Sequence, residues 1–188
     1  MSTKVTETQD AELARTVAAE SGANLWICLQ CCKCTSGCPV AARVDLKPHE
    51  VVRLVQLGER GEVLASRMLW ECTSCETCVT RCPQHVDIPS MMDALCRMSR
   101  ASGKVAAGTT VPTFNDIFLS TVWRLGRMYE AGLMASFKVR TFRFSEDMGK
   151  VPMMLWKRKI ALLPTYVRGG GERKRLFRRV KAAEGKSQ

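Results

Sequence analysis

Two histidines among 188 residues, two tyrosines and no glycine-rich nucleotide fingerprint leave this chain with little of the equipment of a self-contained enzyme. Neither His49 nor His85 has an evident nucleophile partner, so both read as polar surface residues rather than acid–base groups. No apolar run approaches the length that crosses a bilayer: Arg124, Arg127 and Glu130 interrupt one stretch, and Lys157 to Lys159 another. The segment from Met1 to Glu20 is polar and partly acidic, without the apolar core of a secretory signal. A disulfide framework needs an oxidising compartment, and nothing here points to one, so reduced thiols in a soluble, cytoplasmic protein are the expectation. Acidic residues are scarce at one end of the chain. Residues 1–137 hold 14 Lys/Arg and 14 Asp/Glu, whereas residues 138–188 hold 15 and 4, which carries the whole net charge of +11.

Cysteine is what the chain has in quantity. Eight of its ten cysteines form two copies of one pattern: Cys28, Cys31, Cys34 and Cys38 before Pro39, and Cys72, Cys75, Cys78 and Cys82 before Pro83. This is the spacing that holds a pair of 4Fe–4S clusters. Three thiolates two residues apart wrap a loop around one face of a cuboidal cluster, and the fourth, before the proline, reaches the other cluster. The rule assigns Cys28, Cys31, Cys34 and Cys82 to the first cluster, and Cys72, Cys75, Cys78 and Cys38 to the second. Structural zinc would need four ligands from paired knuckles, and a third cysteine at the same gap plus Cys-Pro would be surplus. Crossed ligation ties the halves together, so that metal binding and folding of both are coupled. Of the remaining two, Cys96 falls in a predicted helix from Ser90 to Ala101 and reads as a small buried residue. Cys32, between two ligands, is read first as a spare thiol packed as a small hydrophobe, with an alternate ligand or redox-reactive group as the sharper reading.

The rest of the chain reads as almost all helix. One helix is expected from about Gln9 to Glu20, stopped by Gly22. Pro48 opens another that closes at Gly58, and Glu62 to Leu69 form a short one before the second cysteine loop. Pro89 opens a fourth with a methionine stripe (Met91, Met92, Met98) that reads as core, closing at Gly103. A shift of 44 residues superposes Trp26 and the first motif on Trp70 and the second, and Val44-Asp45-Leu46 resembles Val86-Asp87-Ile88. Two such units exchanging ligands imply a pseudo-twofold arrangement with both tryptophans in matching places beside the clusters.

Residues 1–22 are thus an N-terminal helical segment, 23–103 the cluster domain, 104–112 a linker, and 113–188 a docking helix with a basic tail. In the last part, Thr113 and Asn115 are candidate caps for an apolar segment from Ile117 to Met134. That surface can pack on its own domain, lie on a membrane or dock a partner chain, and its place beyond the linker favours docking. Val151 to Pro164 reads as further interface, and Glu172 to Ala183 as a basic helix. The tail has few stacking aromatics, which favours a solvated face or a clamp on an acidic partner over nucleic acid.

The long helical connection between the motifs, 33 residues from Cys38 to Cys72, resembles the α-helical ferredoxin domain of iron–sulfur subunits of succinate dehydrogenase type. More specifically, the run from Pro48 to Gly58 (PHEVVRLVQLG) and the run from Trp70 to Pro83 (WECTSCETCVTRCP) are similar to the C-type iron–sulfur subunit of heterodisulfide reductases. That resemblance implies a non-catalytic electron-transfer subunit of an oxidoreductase complex. It would carry two 4Fe–4S clusters between a flavin-containing, A-like subunit and a catalytic, B-like subunit marked by Cys-Cys-Gly repeats, which this chain does not have. Relay subunits of other reductases or dehydrogenases (2-hydroxy acid, sulfur or aromatic substrates) share the pattern. An iron–sulfur sensor with a nucleic-acid-binding tail is the more distant alternative. Lys33 lies in the first loop while Glu71 and Glu76 flank ligands of the second, and this charge pattern favours a higher potential at the first cluster.

Overall fold

The computed structural model describes residues 12–141, 167 and 170–184, and among these there is helix, turn and loop but no strand. The fold is all-α, as expected for a helical ferredoxin type. No helix among the described residues is long and apolar enough to cross a membrane. The chain divides into two compact units, one ending at Thr109 and the other starting at Thr110.

The first unit contains α1 (Leu13–Ser21), a 3-10 turn (Leu25–Ile27), α2 (Lys33–Ser36), α3 (Pro48–Leu57), α4 (Arg60–Leu64), α5 (Met68–Glu71), α6 (Thr77–Arg81) and α7 (Ile88–Ala101). The expected start of the first helix at Gln9 lies outside the described residues. Gly22 and Gly58 end α1 and α3 in the left-handed conformation, φ 70° and 78°, which glycine adopts without a Cβ clash. Pro48 stands in the first turn of α3, where its missing N–H costs nothing, and the Lys47 N–H donates to Glu50 Oε2 at 2.6 Å.

The core runs through this unit. Leu13 and Val17 of α1, Val51, Val52 and Val55 of α3, Val63 and Leu64 of α4, and Met91, Met92 and Leu95 of α7 are all sealed from solvent. Each such side chain contributes on the order of 1.5–3 kcal/mol by leaving water. The methionine stripe of α7 is therefore packing, as its spacing indicates. One buried hydroxyl in this core is satisfied: Ser99 Oγ donates to the Leu64 carbonyl at 2.8 Å.

The expected helix from Glu62 to Leu69 is broken into α4 and α5, and the cause is Asp45. Its carboxylate accepts from Ser66 Oγ at 2.8 Å, from the Arg67 N–H at 2.9 Å and from the Met68 N–H at 3.2 Å. These bonds start α5 afresh, much as an N-cap does, from a residue more than twenty positions away. Its counterpart in the repeat, Asp87, caps its own helix, accepting from the Ser90 N–H at 3.1 Å. One sequence motif thus serves two different helix starts.

Short α2 and α6 lie against each other. Under the 44-residue shift Gly37 and Arg81 are counterparts, and a Cβ on Gly37 would stand 2.7 Å from Arg81 Cδ. The glycine leaves room for the arginine stem to cross where the two repeats meet.

The second unit contains α8 (Val111–Leu125), α9 (Glu130–Thr141) and α10 (Gly170–Glu184). The apolar stretch expected as one segment from Ile117 to Met134 is divided at Gly126, left-handed at φ 83°, into α8 and α9. Thr113 and Asn115 lie inside α8 rather than capping it, because Pro112 is accommodated in its first turn. Phe114 stacks on Phe118 and meets Phe137 of α9 edge-on, with centroids 6.3 and 5.9 Å apart. Arg173 of α10 donates from Nε to the Trp123 carbonyl at 2.9 Å, covering an acceptor left open at the end of α8. The stretch from Val151 to Pro164 lies outside the described residues.

Burial pushes the Asp45 carboxyl up, but the hydrogen bonds from Arg67, Leu46, Ser66 and Met68 outweigh it and hold it below the usual carboxylate range. A depressed native value means that this stabilisation is present at neutral pH and is lost as pH falls through it. Asp45→Ala is expected to cost about 1 kcal/mol, as loss of a helix cap does, which lowers the melting temperature by about 4–8 °C. The gap from wild type should narrow in acid. An unchanged melting temperature at neutral pH would show that α5 does not depend on this carboxylate.

Candidate iron–sulfur centres

The two cysteine loops take the same path. Gln30 and Ser74 are left-handed at φ 53° and 47°, and Cys32 and Glu76 at 60° and 58°. In each case the residues are 44 apart. None is glycine, so each loop holds a conformation that costs of order 1–3 kcal/mol per residue. Such strain persists only where the surroundings demand it, and here it occurs twice at matched positions. The matching extends to hydrogen bonds. Cys32 O accepts from Thr35 N and Ser36 N, and Glu76 O from Val79 N and Thr80 N, at 3.0–3.1 Å. The Cys38 N–H donates to Thr35 O and the Cys82 N–H to Val79 O, at 3.1 and 3.0 Å. In each loop a left-handed residue is followed directly by a short helix, α2 or α6, a backbone order of the kind that makes concavities for anionic groups.

Each loop bounds a cavity, and each cavity is completed by a cysteine of the other motif. Cys28, Cys31 and Cys34 line the first together with Cys82; Cys72, Cys75 and Cys78 line the second together with Cys38. The two spaces are alike, about 350 and 370 Å³ when the part open to solvent is counted. Ile88 is buried and lines both. No carboxylate lines either, so nothing among the described lining residues opposes negative charge there.

The donor set fits a cubane cluster. It consists of soft sulfur, four thiols to a cavity, with apolar side chains such as Val40, Val86 and Met68 limiting water. A single ion would need its ligands to converge, and among the described residues no three His, Cys, Asp or Glu side chains do so. A cube that takes one thiolate at each iron requires instead that the sulfurs stand apart around a space.

Burial and hydrogen bonding divide the thiols. Burial pushes up Cys34, Cys72 and Cys78, the last to about 11, while hydrogen bonds from Thr77 lower the exposed Cys75. The raised thiols are protonated near neutrality without metal, so loading must displace their protons. Cys31 and Cys75, counterparts in the repeat, are exposed, which leaves one open edge to each ring. Sulfurs also receive donors: Gln30 Nε2 approaches Cys28 Sγ and the Val86 N–H approaches Cys82 Sγ, both at 3.4 Å.

Three readings from the sequence need correction here. Trp26 and Trp70 do not occupy matching places: Trp70 is 7 % exposed and Trp26 59 %. The Trp26 N–H is taken by Asn24 Oδ1 at 3.2 Å in a 3-10 turn, whereas Trp70 sits within α5. His49 is half-buried and lines the first cavity, with Nδ1 2.6 Å from Thr35 Oγ1, because Pro48 starts α3 beside the first loop. His85 is an exposed loop residue, as expected. Cys32 is exposed and also lines the first cavity, with Sγ 3.4 Å from the Gln30 carbonyl, so it does not pack as a buried hydrophobe. Cys96 is partly buried and donates to the Leu69 carbonyl at 3.0 Å; burial raises its thiol to about 12, and it lines neither cavity.

Residues 27–87 match the family model of a 4Fe-4S dicluster domain. The match spans both cysteine motifs and supports an iron–sulfur, electron-transfer role for this part of the chain. Comparison with curated proteins found no match.

The geometry yields a test of the exchange. In anaerobically reconstituted protein, Cys38→Ala is expected to disturb the centre ringed by Cys72, Cys75 and Cys78, while the EPR signal of the other centre persists. Loss of the first centre alone would contradict the exchange.

Proposed function

We propose that this chain is the electron-relay component of a heterodisulfide reductase-type complex, passing single electrons between a flavin-containing, A-like subunit and a catalytic, B-like subunit. The observation that carries the relay is the pair of sulfur rings, each closed by a thiol of the other motif and each open to solvent at one cysteine. In this reading Cys28, Cys31, Cys34 and Cys82 hold one 4Fe–4S cluster, and Cys72, Cys75, Cys78 and Cys38 the other. When bound, such clusters accept and release one electron at a time without bond-making in the protein. The chain's own residues do the rest. The strained loops fix the thiolates, the apolar walls limit water, and the exposed edges at Cys31 and Cys75 leave short routes outward.

Partner binding is supported by apolar surface left in water. Leu29, on the wall of the first cavity, is 63 % exposed, and Trp26, three residues before it, 59 %. In the second unit Phe114, Leu119 and Trp123 of α8 are exposed, as are Leu176 and Val180 between the basic residues of α10. Side chains of this kind, singly ordinary, are the anchors that protein interfaces use. The resemblance of PHEVVRLVQLG and WECTSCETCVTRCP to the C-type component of heterodisulfide reductases favours this complex over relays serving 2-hydroxy-acid, sulfur or aromatic substrates.

Anaerobic affinity purification of the tagged full chain from its own cells tests the assignment. A large flavoprotein and a Cys-Cys-Gly iron–sulfur protein are expected to come with it. A different flavoenzyme as the stable companion would move the relay to another complex. Salt-dependent retention on DNA, with neither companion present, would contradict the relay itself.

A further inference from the structure

The first cavity has one thiol more than a cube takes. Besides Cys28, Cys31, Cys34 and Cys82, its wall carries Cys32, so five cysteines surround a space that uses four. The second cavity has its four and no more, because the counterpart of Cys32 is Glu76, which does not line it. The chain's other extra cysteine has no part in this surplus. Cys96 lines neither cavity and donates to the Leu69 carbonyl at 3.0 Å.

Cys32 has no structural task that accounts for its place. It stands at the N-cap of α2, where Ser, Thr, Asp or Asn would satisfy an open N–H group, yet its side chain makes no capping hydrogen bond. Its Sγ lies 3.4 Å from the Gln30 carbonyl, a contact that a weak S–H donor gives up readily. Glu76 holds the same backbone conformation in the second loop, φ 58° against 60°, so the turn itself does not call for cysteine.

Its neighbour Cys31 is an exposed member of the first ring, and Cys32 is exposed with it. An exposed thiolate ligand is the one that water and oxidants reach first. A second thiol one residue away, on the same wall, needs no distant rearrangement to take its place.

We propose that Cys32 is a reserve ligand of the first centre, able to take the iron of Cys31, and that the second centre has no such reserve. The proposal rests on the two-cluster reading and goes beyond it, since four thiols complete the ring without Cys32. The exchange balances without an oxidant. The bond from iron to Cys31 Sγ breaks and that sulfur takes up a proton, while Cys32 Sγ gives up its proton and bonds to the same iron. No electron moves. Soft sulfur replaces soft sulfur, which a water or a carboxylate at that iron would not do.

The test uses the full chain, reconstituted anaerobically, with iron content, EPR of the reduced protein, and alkylation of free thiols located by mass spectrometry. In the loaded wild type Cys32 is expected to be alkylated while the eight motif cysteines are protected. Cys31→Ala is expected to keep the wild-type iron content and both EPR signals, with Cys32 now protected. Adding Cys32→Ala to it should abolish the first-centre signal, as Cys75→Ala abolishes the second, with iron falling by up to about half. Cys32→Ala alone should load fully. A Cys31→Ala chain that keeps its first centre with Cys32 still reactive overturns the proposal, and so does one that loses this centre alone. Should Cys31→Ala lose both centres, Cys31→Ser decides: a protected Cys32 supports the exchange and a reactive one overturns it. Wild-type chain that takes up no iron would instead remove the cluster reading beneath it.

Discussion

Each of the two sulfur rings is closed by a thiol that the other motif supplies, and most of the first unit's architecture is arranged around that exchange. For Cys38 and Cys82 to cross over, α2 and α6 must lie against one another, and they do so where Gly37 makes room for Arg81. The loops leading into those helices must turn through left-handed residues that glycine would adopt more cheaply. Around them, α1, α3, α4 and α7 supply a core of valine, leucine and methionine that offsets the loop strain. Raised thiols at Cys34, Cys72 and Cys78 point the same way. Buried sulfur that resists ionisation is poor company for bare thiolates and good company for metal that neutralises them.

A duplicated motif would give two equal centres if duplication were complete, and here it is not. The backbone repeats more faithfully than the side chains. Asp45 and Asp87 share a sequence context, but one starts a distant helix and the other its own. Trp26 is exposed while Trp70 is buried. Thr35 and His49 pair, while Val79 and Ser90 do not. Of these residues His49 stands on the wall of the first cavity, where hydrogen bonding, charge and water access set a cluster's potential. Two sites of one shape can therefore differ in driving force, which a relay needs in order to have a direction.

Much of this was legible in the sequence because the spacing of the cysteines is itself a geometric statement. The gap of two residues, repeated and followed by Cys-Pro, already implies a loop around one object and a ligand for another. Helix ends marked by Gly22, Gly58 and Pro48 were equally readable, since backbone sterics decide them locally. What escaped the sequence depended on contacts distant in the chain. Nothing around Glu62 to Leu69 announces a break, because the carboxylate that causes it stands at position 45. His49 looked like a surface residue because a histidine's neighbours in space, here Thr35 and the cavity wall, are absent from its neighbours in sequence. A signal was nonetheless present: His49 follows the proline that fixes where α3 begins, one of two such helices set beside the loops.

The central claim is that two iron–sulfur cubes sit in these cavities and exchange their fourth ligands. An anomalous difference map at the iron absorption edge, from crystals of anaerobically prepared protein, addresses it most directly. The account predicts two compact maxima per chain, one ringed by Cys28, Cys31, Cys34 and Cys82, the other by Cys72, Cys75, Cys78 and Cys38. A maximum surrounded by the four cysteines of a single motif, or a signal at the zinc edge instead, would contradict it.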